Sequence, residues 1–224
     1  MPPMYMQLIN NLELMKIGSE ILYTFVIVMI CTLIYLRTKE IYSLTKHEGI
    51  KYFRNGFLFF GLAYISRIIL YLVSLTFWAF EFFIPGYLYH PIAMIAVSYL
   101  STMALFYITY SIVWKKIRYK HFVLFANLLA FLISVLAFIS RSPLIIGLVQ
   151  LILLVSIIIF SIFMHNKSKS HSKLLYLLIA IFWLLNLLAT GSSGVLFFQI
   201  NLIFQLLSLG VFFIIFYKVM RFTK

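Results

Sequence analysis

Acidic side chains are nearly missing from this chain. Five glutamates and no aspartate stand among 224 residues, against 18 lysines and arginines. A soluble domain carries about a quarter charged residues; here the share is 10%, too little to cover a water-facing surface. Cysteine is limited to Cys31 inside an apolar run, which excludes a disulfide framework and a thiolate metal site. There is no HExxH, no paired-acid pattern and no glycine-rich phosphate loop, so hydrolase and transferase chemistry has no foothold. His47 and His171 fall in loops, and His90, His121 and His165 near span ends. No two sit deep on facing helices, as a bis-histidine haem requires. The expectation is therefore a protein without enzymatic activity, metal or cofactor.

What the chain has instead is apolar length. Hydrophobic residues make up 64% and the mean hydropathy is +1.09, which marks an integral membrane protein. Allowing about 20 apolar residues per crossing, the runs are 17–36, 56–80, 88–113, 122–139, 143–164, 174–190 and 195–217. The fold expected is all-α: one polytopic seven-transmembrane helix bundle over 1–224, with no room for a soluble domain. The first sixteen residues hold no basic n-region, and no small-residue cleavage site follows the first run, so that run reads as a retained span rather than a signal peptide.

The formal charge of +13 raises nucleic acid as a partner, but its distribution argues against it. Arg37, Lys39, Lys46, Lys51 and Arg54 follow span one; Lys115, Lys116, Arg118 and Lys120 follow span three. Lys167, Lys169 and Lys173 follow span five, and Lys218, Arg221 and Lys224 close the chain. The other side holds Lys16 and Arg141. Such alternation predicts an N-terminus outside, a C-terminus in the cytoplasm and a multi-pass protein of the cell membrane. Partners on the inner face would be anionic lipid headgroups and a cytoplasmic or membrane protein. Turns are expected at Pro85-Gly86 and over Gly191–Gly194, and interfacial aromatics at Trp78, Tyr87, Tyr89 and Trp114. Trp183, inside span six, does not fit that explanation. Thr45-Lys-His-Glu48 has the pattern of a capping box opening helix two below the membrane.

The polar residues inside the spans carry the functional reading. Arg67 is the one charged residue between Phe57 and Phe80, and a cation at that depth must face protein or trapped water. Helical spacing places Phe60, Tyr64, Arg67, Tyr71 and Ser74 on one face, with Leu58, Leu62, Ile65, Ile69 and Leu72 elsewhere. At 1.5 Å per residue Glu20 lies about 24 Å from Leu36, and Arg67 roughly 16–18 Å from Gly56. Those levels permit a Glu20–Arg67 ion pair. Glu81 is a shallower alternative, and a snorkelling Arg67 that bonds only hydroxyls and carbonyls is another. Asn201, Gln205 and Ser208 form a second stripe in span seven, with Gln199 nearer the surface. Asn186, Gln150, Ser98, Ser101 and Thr102 fall at overlapping depth. Together these suggest a polar chamber near the outer side, lined by Arg67, Glu20, Tyr64, Tyr71, Ser98, Thr102, Gln150, Asn186, Asn201 and Gln205. The alternative is that the same amides and hydroxyls only hold helices together.

Seven spans with the N-terminus outside resemble the topology of microbial rhodopsins. That family needs a Schiff-base lysine midway along its last helix, and residues 199–210, QINLIFQLLSLG, hold none; Lys218 is at the cytoplasmic end. Its helix-three acids are missing as well, so the resemblance does not carry retinal or proton pumping to this chain. Small seven-helix sugar transporters share the topology, but their Pro-Gln motifs and helix prolines have no match here. Residues 37–67, RTKEIYSLTKHEGIKYFRNGFLFFGLAYISR, resemble a pattern in uncharacterised seven-helix membrane proteins of archaea, which implies the fold and no activity. The function expected is receptor-like: a small amphipathic ligand in the outer chamber and signalling through the basic cytoplasmic loops. A carrier or channel using the same chamber is one alternative, although continuous spans lack the broken helices many transporters use. A structural subunit of a membrane complex is the other.

Overall fold

The computed structural model describes residues 4–80, 86–117, 120–140, 143–164, 170–190 and 198–222. Regular structure among them is entirely helical: α1 (Met4–Thr45), α2 (Glu48–Phe80), α3 (Gly86–Val113), α4 (Phe122–Ser140), α5 (Pro143–Met164), α6 (Ser170–Thr190) and α7 (Phe198–Phe222). Six of the seven are long and apolar enough to cross a membrane; the apolar part of α6, Lys173–Ala189, is shorter. Glu81, Pro85, Arg118, Arg141, His165, Lys167, Lys169, residues 191–194 and Lys224 lie outside the described residues. So do the side chains of Lys16, Ser74, Trp78, Tyr87, Tyr89, His90 and His171.

Helix α5 begins at Pro143, where a fixed φ and a missing N–H cost a first turn nothing. Helix α1 is longer than its apolar run and continues from Leu36 to Thr45, so α1 and α2 extend together beyond the apolar zone. The helices close into a ring in the order α1, α2, α3, α5, α6, α7 and back to α1, while α4 packs outside against α3 and α5. Small residues explain the place of α4. Its buried positions are Ala126, Ala130, Ser134 and Ala137, a stripe at helical spacing that lets it approach Met103 and Tyr107 of α3. The centre of the ring is aromatic: Phe182 stacks on Phe212 with centroids 4.5 Å apart, and Phe60 meets Phe182 edge-on at 5.4 Å. Helix α2 presents its faces as the spacing predicts. Phe60 and Tyr64 are buried, whereas Leu58, Leu62, Ile65, Ile69 and Leu72 are exposed.

Gly56 permits the close approach of α2 and α3. A methyl group there would stand 2.7 Å from Ile108 Cγ1 and 3.3 Å from the Ala104 carbonyl oxygen. Overpacking costs typically 1–3 kcal/mol, and the gain in helix propensity on leaving glycine offsets roughly 1 kcal/mol of it. Gly56→Ala is therefore expected to destabilise the bundle by about 1 kcal/mol. Gly147, with nothing within 4 Å, supplies the contrast: Gly147→Ala should stabilise by up to about 1 kcal/mol. Equilibrium unfolding of both variants in bicelles checks the pair, and equal signs would refute this packing account.

The connection between α1 and α2 differs from the capping box expected. Thr45 remains in α1 and donates its hydroxyl to the Ile41 carbonyl at 2.8 Å. The His47 carbonyl accepts the first bonds of α2, from Ile50 N–H at 3.0 Å and Lys51 N–H at 3.4 Å. Lys46 closes α1 in the left-handed region, φ 51°, donating its N–H to Tyr42 O at 2.8 Å. Such a left-handed residue is a usual way to end a helix, and it leaves Thr45 two residues before His47, the position from which α2 is capped. Glu48 pairs with Lys51 at 3.2 Å.

His47 meets the edge of Trp114 with centroids 4.8 Å apart. Partial burial, and then the Lys115 ammonium, lower its pKa from the usual 6.5, with Glu48 opposing. Because the folded value is the lower one, the neutral ring favours the folded turn above the unfolded pKa. That contribution is lost as pH falls through the folded value. The ring is exposed, so the effect on stability is small; the titration itself is the test. An imidazole resonance moving above pH 6.5, rather than below it, would contradict the contact with Trp114 and Lys115.

Candidate functional site

Four helices bring polar side chains together in the half of the ring away from the α1–α2 turn. Helix α1 supplies Glu20, Tyr23 and Thr24, successive turns of one inward face. Tyr64, Arg67 and Tyr71 follow on α2, Asn186 on α6, and Gln205 and Ser208 on α7. Asn186 is the hub: its Oδ1 accepts from the Tyr23 hydroxyl at 2.6 Å and from the Tyr64 hydroxyl at 2.5 Å. Its Nδ2 donates to the Phe182 carbonyl at 3.0 Å. The Tyr23 and Ser208 hydroxyl oxygens also stand 2.7 Å apart, and with Tyr23 donating to Asn186 the Ser208 hydroxyl donates either to Tyr23 or to the Gln205 carbonyl at 2.8 Å. One amide thus ties α1, α2 and α6, and Tyr23 extends the tie to α7.

Glu20 stands one turn along α1. Its Oε1 accepts from Gln205 Nε2 at 2.8 Å and its Oε2 from the Tyr71 hydroxyl at 3.3 Å. Arg67 is half-buried, with its guanidinium carbon 5.5 Å from the centroid of the Tyr64 ring and the Tyr71 hydroxyl beside it. Among the described residues, the ion pairs are Arg37–Glu40 and Lys51–Glu48, both near the α1–α2 turn. The direct Glu20–Arg67 pair drawn from depth alone is not formed: Tyr71 bonds the carboxylate and stands between the two charges. The level was right, but two donors reach the carboxylate first. A tyrosine face holds the cation at a few tenths to about 2 kcal/mol, depending on desolvation.

The remaining expected residues form a second group. Gln150 donates from Nε2 to Ser101 Oγ at 2.8 Å and accepts from Trp183 Nε1 at 3.3 Å. This joins α3, α5 and α6 and explains an indole so deep in a span, since a buried Trp N–H needs an acceptor. Ser98 and Ser101 hydroxyls donate within their own helix, to Ile95 O and Ser98 O. Thr102 is fully buried, and its hydroxyl has no hydrogen-bond partner among the described residues. Asn201 is buried one turn before Gln205, and Gln199 is exposed. The two groups are not one polar lining. Phe60 lies between them, its centroid 4.8 Å from Tyr64 and 4.6 Å from Trp183. A cavity of ≈ 10 Å³ lies on the turn-ward side of Phe60, lined by Phe57, Phe60, Ile108, Ile179, Phe182, Trp183 and Phe212. It is about one water in size and apolar, hence dry, and neither Arg67 nor Glu20 lines it.

Tyr23 was missed by sequence reasoning, though Glu20, Tyr23 and Thr24 at i, i+3 and i+4 were its signal. Of the expected set, Glu20, Tyr64, Arg67, Tyr71, Asn186 and Gln205 are brought together. Ser98, Thr102 and Gln150 are not part of that cluster.

No family model matches the chain, and no solved structure matches it. An uncharacterized protein of Archaeoglobus fulgidus is 34% identical over 229 residues, covering 98% of each chain.

Proposed function

This chain belongs to one family with the uncharacterized Archaeoglobus fulgidus protein, and for it we propose a receptor-like role in a membrane. The ligand is a small amphipathic anion whose head meets Arg67 and whose tail lies among the aromatic side chains. One observation carries this reading. The Glu20 carboxylate is occupied by Gln205 and Tyr71, and the Arg67 guanidinium lies on a tyrosine face with no carboxylate of its own among the described residues. A guanidinium in that state binds a planar carboxylate or phosphate through charge-assisted hydrogen bonds, stronger than neutral ones. An incoming anion would compete with Glu20 for Tyr71 and so act on Gln205 of α7. The same motion would reach the Tyr23–Asn186–Tyr64 hub and, through α1 and α2, the basic turn and its partner protein. The N-terminus outside and C-terminus in the cytoplasm are part of this proposal, as is the cell membrane.

A second reading has its own support. Tyr23, Tyr64, Asn186 and Ser208 satisfy one another directly, as glue between helices does. Thermal unfolding of the detergent-purified protein with medium-chain carboxylates and alkyl phosphates separates the two. The receptor-like reading expects a saturable rise, equivalent to about 2.7 kcal/mol at a hundredfold excess over Kd, which Arg67→Gln abolishes. A panel without effect on the wild type leaves the structural reading standing. Arg67-dependent flux of such a compound through proteoliposomes would favour a carrier instead.

A further inference from the structure

The turn between α1 and α2 holds a second arginine whose surroundings differ from those of its basic neighbours. Both acids of this segment are spoken for: Glu40 pairs with Arg37 at 2.7 Å and Glu48 with Lys51 at 3.2 Å. Arg54 and Lys46 take neither. Arg54 instead packs its guanidinium against two rings of α1, 5.4 Å from the centroid of Tyr35 and 5.2 Å from that of Tyr42. Its Nε is buried without a hydrogen-bond partner among the described residues. Lys46 brings its ammonium to the same Tyr42 ring at 5.9 Å. The backbone fixes that placement, because Lys46 occupies a left-handed conformation that glycine adopts more easily, φ 51°.

Two cations gathered on one ring, with an N–H left unpaired, make an electrostatically unbalanced site. A ring face attracts a cation without taking up all its N–H groups, so an oxyanion could still be held here, by Arg54 through its planar guanidinium and by Lys46 through its ammonium. Depth says which oxyanion. Measured from Leu36, α1 runs about 13 Å past its apolar run, and α2 starts roughly 12 Å before Gly56. A headgroup layer is on the order of 5–8 Å thick on each side of the hydrocarbon, so the hairpin passes through it. Arg54, two residues before Gly56, lies within about 3 Å of the hydrocarbon boundary, the level of lipid phosphates.

We propose that Arg54 and Lys46, arranged on Tyr42 and Tyr35, form a binding site for the phosphate group of an anionic membrane lipid. The acyl chains of that lipid would run along the exposed face of α1, where Leu33 and Leu36 meet the hydrocarbon. The site is independent of Arg67 and of any ligand there.

Native mass spectrometry of the full-length protein, with phosphatidylglycerol, phosphatidylcholine and inorganic phosphate as probes, tests it. The wild type should retain phosphatidylglycerol in preference to phosphatidylcholine. Arg54→Gln should lower the retained fraction about tenfold, the equivalent of 1.4 kcal/mol, and Lys46→Gln several-fold. Lys116→Gln, at an exposed basic residue of the connection between α3 and α4, should leave retention unchanged. Equal losses in Lys116→Gln and Lys46→Gln would mean diffuse charge attraction and overturn the site. Displacement of the lipid by millimolar inorganic phosphate would show that a free anion, not a lipid, is the occupant. Should Arg54→Gln fail to fold, Lys46→Gln decides alone, since Lys46 is exposed and rests only over the Tyr42 ring.

Discussion

Asn186→Leu should weaken the bundle by about 2 kcal/mol, although the side chain exchanged is of similar size and the new one more apolar. The loss lies in what Asn186 leaves behind. Its Oδ1 is the acceptor for both Tyr23 and Tyr64. Tyr23 keeps Ser208, so Tyr64, buried on α2, is the hydroxyl that loses most. A buried donor left unmet costs about 1–3 kcal/mol, whereas side-chain hydrogen bonds within membrane bundles average ~0.6 and reach ~1.7 kcal/mol. Two bonds on one oxygen place the expectation near the top of the second range. Tyr64→Phe separates polar loss from packing loss. If the unmet hydroxyl is the cause, the double variant Tyr64→Phe, Asn186→Leu is more stable than Asn186→Leu alone in a double-mutant cycle. A neutral Asn186→Leu would mean that the tyrosines find other acceptors and that α6 is held by its aromatic contacts.

How this hub escaped the sequence while its neighbours did not has a physical cause. Helix α5 was legible because a bounded apolar run is itself the signal of a helix that can cross a membrane: it runs over the expected Pro143–Met164, whereas α1 continues past its apolar run to Thr45. The inward face of α2 was legible because Arg67 has to avoid lipid, and helical periodicity then assigns Tyr64 to the bundle interior and Leu62 and Ile69 to the outside. Gln205 followed for the same reason. Which helices adjoin one another was not legible. In a membrane, lipid tails are as apolar as leucine, so hydrophobicity does not separate a lipid face from a helix interface. The ring passes from α3 to α5 with α4 outside, and the sign of this was the Ala126, Ala130, Ser134 stripe rather than any hydropathy. Gln150 and Asn186 therefore looked alike by depth, yet one belongs to the α3–α5–α6 group and the other to the hub across Phe60. Tyr23 was hidden because a tyrosine in a span is also an ordinary interfacial or packing residue; only its register with Glu20 distinguishes it.

Arg67→Leu, the largest change expected, should cost about 3 kcal/mol by itself, and Glu20→Gln in the same chain should recover most of it. The single variant removes the cation but leaves the Glu20 carboxylate, half-buried between Gln205 and Tyr71. Two donors remain, but no positive charge does, and uncompensated buried charge costs roughly 3–5 kcal/mol. A value at the low end fits, because Glu20 never touches Arg67 directly and is not wholly enclosed. Replacing the carboxylate with an amide removes the charge while keeping an oxygen for Tyr71. The apolar leucine that takes the arginine's place then meets Tyr64 and the lipid at less cost than a guanidinium does. Unfolding in bicelles gives the stability of the four chains, and the anion-dependent shift of the thermal midpoint gives the second readout. Recovery of stability with the shift still absent assigns Arg67 to ligand recognition. Recovery of both would place the anion elsewhere and leave Arg67 as a partner of Glu20 in the bundle. A single variant as stable as the wild type would show that Tyr71 and Gln205 alone hold the carboxylate, and the charge balance between α1 and α2 would then contribute nothing to the fold.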